Sequence, residues 1–284
     1  MKLRTVDSLF RSRPVVEGAG VRLRRAFGHG QAPQFDPFLM LDHFGSDNPE
    51  DYLAGFPWHP HRGIETVTYV LSGRVAHGDS IGNSGAIGPG DLQWMTAGSG
   101  IIHQEMPQDT PDRLNGFQLW LNLPRAQKMM PPRYRDVAAA TVPEAEPAPG
   151  VRVKVIAGVV GDVSGPVRDL VVETEYLDIA LQPGSRFDHP VPGDRRVFAY
   201  VFEGTAECGG QVVEHGTAAL LGDGDAVRLA AGDAPARLLL VSGRPLDEPV
   251  AWGGPIVMNT QAELDLAFRE LERGTFIKHG RTPS

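Results

Sequence analysis

Short apolar runs rich in β-branched and aromatic residues recur along the whole chain, among them "TVTYVL", "FQLWLNL", "VRVKVIAGVV", "VVETEYLDIAL", "VFAYVF" and "ARLLLVSG". Glycine or proline bounds several of them, and the 34 glycines and 24 prolines lie between runs rather than in clusters. Runs of this length, with this punctuation, read as strands and turns, so an all-β fold is expected. In "FQLWLNL", Phe117, Leu119, Leu121 and Leu123 alternate with Gln118, Trp120 and Asn122, as in a strand whose two faces meet different surroundings. The exception is "NTQAELDLAFRELERG", where Leu264, Ala267, Phe268 and Leu271 fall at i, i+3, i+4 and i+7. With Thr260 and Glu263 as a capping box and Gly274 as a stop, this predicts an amphipathic helix over 260–273, packed across a sheet.

The Pro- and Ala-rich stretch "TVPEAEPAPG", residues 141–150, has no periodicity and reads as a linker between two halves, 1–140 and 151–284. The halves look weakly alike. "YVLSG" at 69–73 resembles "YVFEG" at 200–204, and "GDLQWMTAG" at 90–98 resembles "GDAVRLAAG" at 224–232, in the same order and at similar separation. Together with the linker this predicts a duplicated β-barrel, two similar barrels in tandem, the second ending in the helix.

Composition narrows the function. With 284 residues and 41% hydrophobic content, a sizeable core is available. Cys208 is the single cysteine, which rules out an intrachain disulfide or a cysteine-built metal site and fits a reducing, cytoplasmic setting. The start carries scattered charges and no long apolar stretch, and no window approaches a membrane span, so neither export nor a membrane role is expected. A formal net charge of −8 with no basic stripe argues against direct nucleic-acid binding, and leaves a protein partner open.

The stretch "FPWHPHRGIETVTYV" places His59 and His61 two residues apart at the mouth of a strand, on one face if the chain is extended. "MTAGSGIIHQEMP" repeats the device with His103 and Glu105. If both segments line one barrel with these faces inward, three imidazoles and a carboxylate converge, and burying so many polar groups without a cation is costly. Such a donor set suits Fe(II), Mn(II), Co(II), Ni(II), Cu(II) or Zn(II), with the later metals favoured by raw affinity. Glu65 shares the strand parity of the two histidines and can ligate, orient a histidine or pair with a nearby arginine; parity does not choose. His29, His43, His77, His215 and His279 read as ordinary hydrogen-bonded or surface groups.

"GFPWHPHRGIETVTYVLSG", "IGPGDLQWMTAGSGIIHQEMP" and "LNGFQLWLNLP" closely resemble the pirin family of the cupin superfamily, most densely from Phe35 to Pro132. The resemblance implies a bicupin of two tandem double-stranded β-helix (jelly-roll) barrels with a short C-terminal helix. It implies one iron in the N-terminal barrel, held by His59, His61, His103 and Glu105, with Glu65 left beside the site at best. In the second half the "YVLSG" match sets Pro190 and Pro192 opposite His59 and His61, and the "GD" match sets Arg237 and Leu239 opposite His103 and Glu105. A C-terminal barrel without metal is therefore expected.

Bacterial pirin-like proteins are associated with quercetin 2,3-dioxygenase activity, so the resemblance further implies ring opening of a flavonol by O2 with release of CO. Glu105 would accept the proton of the flavonol 3-hydroxyl. Phe56, Trp58 and Met106 are candidates for an apolar mouth, whereas Trp94 reads as core. The rival reading is an iron-dependent redox-sensitive regulator acting through a protein partner; a sugar-type cupin isomerase or a metal-binding relic is a third.

Overall fold

The structure, a computed structural model, describes residues 1–111 and 113–280. It is almost entirely β, and among the described residues no helix is long and apolar enough to cross a membrane. Contacts divide the chain into two compact units: Pro14–Arg25, Phe38–Ala139 and Leu246–Ser284 in one, Met1–Arg13, Ala26–Pro37 and Ala140–Pro245 in the other.

In the first unit a seven-stranded sheet runs in the spatial order Arg133–Val137, Leu92–Thr96, Ile64–Ser72, Leu114–Asn122, Phe38–Ser46, Val21–Phe27, Arg13–Glu17. A four-stranded sheet runs Phe56–His61, Ile101–Pro107, Val75–Asp79, Ser84–Ile87. The second unit repeats this arrangement slot for slot. Its large sheet runs Val6–Arg11, Thr217–Leu221, Arg196–Glu203, Ala236–Gly243, Thr174–Leu181, Val151–Ala157, Glu144–Ala148. Its small sheet runs Arg186–Pro190, Ala226–Ala231, Thr205–Cys208, Gln211–Glu214. Both are antiparallel double-stranded β-helix barrels.

The linear division at 141–150 meets two differences, both products of strand pairing between distant residues. The first strand of the chain joins the second barrel, where Phe10 pairs with Ala218, while everything from Leu246 onward belongs to the first barrel's unit. The stretch read as a linker carries the strand Glu144–Ala148, paired with Val151–Ala157. It is an edge strand, a position that tolerates Pro147 because one side needs no ladder partner.

The duplication also corrects the internal alignment. "YVLSG" and "YVFEG" do lie on equivalent strands, Ile64–Ser72 and Arg196–Glu203. The two "GD" segments do not. Leu92–Thr96 sits in the large sheet of its barrel, whereas Ala226–Ala231 sits in the small sheet of the other and is the counterpart of Ile101–Pro107.

The helix forms over Gln261–Glu272 with its capping box in place: Glu263 N donates to Thr260 Oγ1 at 3.3 Å, and Thr260 N donates to Glu263 Oε2 at 2.9 Å. It lies against the short hairpin Ala251–Gly253 and Ile256–Met258 rather than across a barrel sheet, with Leu264 and Ala267 buried beside Ile256, Met258 and Phe276. An apolar cluster of Val21, Leu23, Phe44, Tyr52, Val70, Val75, Ile87 and Leu114 fills one end of the first barrel. The histidines stand toward the other end.

Candidate metal centre

The strands Phe56–His61 and Ile101–Pro107 pair antiparallel, with His59 opposite His103 and His61 opposite Ile101. Directly opposed residues project to the same side of a sheet, so the i, i+2 pair and the cross-strand partner put three imidazoles on the inward face. The ring centres of His59, His61 and His103 are 4.3, 4.8 and 5.0 Å apart, and one nitrogen from each lies within 4.8 Å of the others. Donors around one metal with bonds of about 2.1 Å stand up to about 4.2 Å apart, so a small inward shift closes the set.

Hydrogen bonds fix the tautomers of two rings. His59 Nδ1 donates to the Pro57 carbonyl at 2.8 Å, and His61 Nδ1 donates to the Pro255 carbonyl at 3.1 Å. A carbonyl oxygen can only accept, so each Nδ1 carries the proton. The two Nε2 atoms then face each other across 3.1 Å. Burial, reinforced by the neighbouring His59, holds His61 well below the usual imidazole range, and the same causes, with His61 and His77 adding, do so for His103. His103 is 1% exposed and neither of its nitrogens has a hydrogen-bond partner. Two Nε2 atoms pointing at one another and an orphaned buried ring are unfavourable by themselves. A shared proton relieves one such gap; one cation relieves all three rings, so these residues fit a metal.

Glu105 shares the inward face but stands outside the histidine cluster. A bulge accounts for the offset: Glu105 pairs with Phe56 while His103 pairs with His59, so three steps on one strand face two on the other. Glu105 Oε1 accepts the Thr68 hydroxyl at 2.7 Å, and the Gln118 side-chain amide lies 2.7 Å from the same hydroxyl.

The remaining expected site residues divide. Glu65 does not enter the site: the parity count fails at Gly63, whose φ of +77° breaks the extended run. Glu65 pairs with Leu121 and Thr96 on the face opposite Thr68, Gln118 and Trp120, and its Oε1 accepts the Thr96 hydroxyl at 2.6 Å. Trp94 is buried on that same outer face. Phe56 lies near the triad, its ring centre 6.4 Å from that of His59. Trp58, bulged outward and 46% exposed, covers Gly78 from outside, and Met106 points outward toward Gly55. Neither Trp58 nor Met106 lines the interior.

Other residues do line it, unforeseen. The Trp120 ring centre stands 5.0 Å from that of His61, edge to face. His77, opposite Glu105, shares a hydrogen bond between its Nδ1 and the Tyr134 hydroxyl and has Nε2 3.5 Å from Asp136 Oδ2. Gly85 makes room for that ring, since a Cβ there would lie 2.9 Å from His77 Nε2. Gln93, opposite Thr68 and 1% exposed, has both amide atoms without a hydrogen-bond partner. The signal for Trp120 and Gln118 was present in the alternation of "FQLWLNL"; for His77 and Gln93 it lay only in strand register.

A small barrel of two facing sheets with an inward histidine triad, followed by a second barrel of the same strand order, defines a bicupin of the cupin superfamily. Two family models match, Pirin over residues 20–121 and the Pirin C-terminal cupin domain over residues 176–277. The chain is 46% identical over 277 residues to a Pirin-like protein of Caulobacter vibrioides, covering 97% of this chain and 100% of that one. It is 40% identical over 264 residues to a Pirin-like protein of Solanum lycopersicum, covering 91% and 88%. Among solved structures, a quercetin 2,3-dioxygenase from Acinetobacter baumannii superimposes with a TM-score of 0.88 at 31% identity, covering 96% of this chain and 98% of that one. The protein belongs to the pirin family.

Proposed function

We propose that the protein is a metal-dependent dioxygenase that opens the ring of a flavonol such as quercetin, consuming O2 and releasing CO. His59, His61 and His103 hold one divalent transition metal, Fe(II) first among the candidates, with Glu105 as the carboxylate beside them. The observation that carries the reading is the pair of Nε2 atoms facing each other at 3.1 Å, each ring having its Nδ1 engaged by a carbonyl. The likeness to a solved quercetin 2,3-dioxygenase supports the choice of substrate.

A metal held by His59, His61 and His103 would supply Lewis acidity. The residues of the chain do the rest. Glu105 accepts the 3-hydroxyl proton of the flavonol at a carboxylate oxygen, and the Thr68 hydroxyl, donating to Oε1, fixes which oxygen is free. Trp120, packed edge-on against His61, gives a flat apolar wall for an aromatic ligand and keeps water from that side of the ring.

The test is O2 uptake and CO release with quercetin, run beside metal analysis of the same preparation. Wild type is expected to turn over, and Glu105→Gln to keep its metal while losing about 10²-fold or more in rate. Full turnover by Glu105→Gln removes the proton-acceptor role. A metal-loaded wild type that consumes no O2 points instead to the non-catalytic regulator.

A further inference from the structure

The last part of the chain reaches the histidine corner through an unusually polar junction. Gly63, two residues after His61, has φ +77°, and a Cβ there would lie 1.9 Å from the Val257 carbonyl oxygen. Only a glycine lets the strand Ile256–Met258 approach so closely. Val257 N donates to the Arg62 carbonyl at 3.0 Å. The buried Arg62 side chain donates to the Ser99 carbonyl at 2.7 Å and to the Phe276 carbonyl at 2.8 Å, and pairs with Glu270 at 2.8 Å.

Between them sits Lys128, the one buried lysine among the described residues, 1% exposed. Its Nζ donates to Asn122 Oδ1 at 2.6 Å, to the Gly63 carbonyl at 2.9 Å and to the Val257 carbonyl at 3.0 Å. In the charged form three donors meet three acceptors, and in the neutral form two remain, so the amine is held by this ring of acceptors in either state. Two of those acceptors belong to the histidine-bearing segment and to the tail hairpin. Two residues before Val257 stands Pro255, whose carbonyl holds the proton on His61 Nδ1.

We infer that Lys128 is a positioning residue for His61: by clamping the Gly63 and Val257 carbonyls together it holds Pro255 where its oxygen keeps the proton on Nδ1 and leaves Nε2 open to the cation. The inference rests on the metal reading above. It makes the C-terminal hairpin part of the metal centre, although no side chain of the hairpin is a ligand. A hydrogen-bond partner at the far nitrogen of a ligating histidine sets both its tautomer and its basicity.

The experiment uses the full chain freed of metal and titrated with Co(II). It reads affinity by chelator competition, the visible absorption of the bound ion, and the His61 tautomer by long-range nitrogen–proton correlation. Lys128→Met is expected to weaken Co(II) binding about 10- to 100-fold, to change the absorption envelope and to loosen the Nδ1 tautomer. Asn122→Ala, a milder change at the same ammonium, is expected to move affinity the same way by a few fold, and serves if Lys128→Met does not fold. Leu238→Ala, in the apolar core of the second barrel, lowers the melting temperature and leaves affinity and spectrum alone. A Lys128→Met or Asn122→Ala protein that loses only thermal stability, with wild-type affinity and spectrum, overturns the inference. A wild type that takes up no Co(II) overturns the metal reading itself.

Discussion

Where the first barrel has His59, the second has His189, each on the first strand of its small sheet; Gly73 and Gly204, with φ of +80° and +67°, close equivalent turns. Carrying the pairing registers across, the counterparts of His61, His103 and Glu105 are Val191, Val227 and Leu229. Those of Thr68, Gln93 and Gln118 are Ala199, Ala219 and Leu240, and that of His77 is Cys208. Apart from His189, all of the second barrel's residues in this set are buried and belong to one continuous apolar core. His189 survives because Glu175 accepts from its Nε2 at 2.9 Å, a closed pair that needs no ion. One backbone thus supports two fillings. The apolar one is what packing alone selects, so the buried polar groups of the other are held against their cost by function.

The sharpest break of this contrast plants the triad in the wrong barrel. Val191→His with Val227→His places two imidazoles beside His189 inside a close-packed apolar core. Urea denaturation is expected to show a loss of about 4–6 kcal/mol, from overpacking and unpaired polar atoms. Part of that loss should return on adding Zn(II), and only in the double variant. A double variant as stable as wild type means that the second interior is not selected by packing.

The buried amine of the first barrel's unit gives the next largest effect. Burial pushes Lys128 from the ordinary lysine range down to about 7. Between pH 7 and about 10.4 the unfolded chain keeps a proton that the folded chain has released, so raising the pH through this window favours the folded state. Relative to Lys128→Met, wild type is expected to gain up to about 4 kcal/mol from pH 7 to pH 10. Parallel pH profiles in thermal melts would place the proton release elsewhere.

Importing the second barrel's own residue into the first gives a smaller effect with an unusual sign. His103→Val removes two buried nitrogens that have no partner. The metal-free protein is expected to become more stable by about 1–2 kcal/mol, while metal content falls from one ion per chain toward none. A metal-free His103→Val protein that is less stable than wild type means that the ring is satisfied in some way other than by a cation.

The sequence made these two fillings legible only where the geometry is local. Alternation and turn residues gave the all-β class, and the i, i+2 spacings placed His59 beside His61 and His103 beside Glu105, because strand parity needs no knowledge of partners. It failed at each place where the answer depends on pairing at a distance. Gly63 ends the parity that joined Glu65 to the histidines, and a bulge turns Trp58 outward and sets Glu105 aside from the triad. His77 looks like any surface histidine until its strand is laid beside Glu105. The entry of Val6–Arg11 into the other barrel's sheet leaves no mark in composition at all.

The smallest expected effect is a reciprocal exchange at one hydroxyl. Thr68→Ala puts the second barrel's residue into the first and withdraws the donor from Glu105 Oε1, for a loss of about 1 kcal/mol. Ala199→Thr puts the first barrel's residue into the second, where the equivalent neighbours Leu229 and Leu240 offer no side-chain acceptor. A buried hydroxyl without a partner costs about 1–3 kcal/mol, so this change should destabilise as well in matched urea denaturations. The same side chain is then stabilising in one barrel and destabilising in the other, which identifies the surroundings, and not the intrinsic strand preference of threonine, as what distinguishes the interiors. A loss at Thr68→Ala matched by an equal gain at Ala199→Thr would assign the difference to intrinsic strand preference and leave the polar lining of the first barrel without an energetic reason.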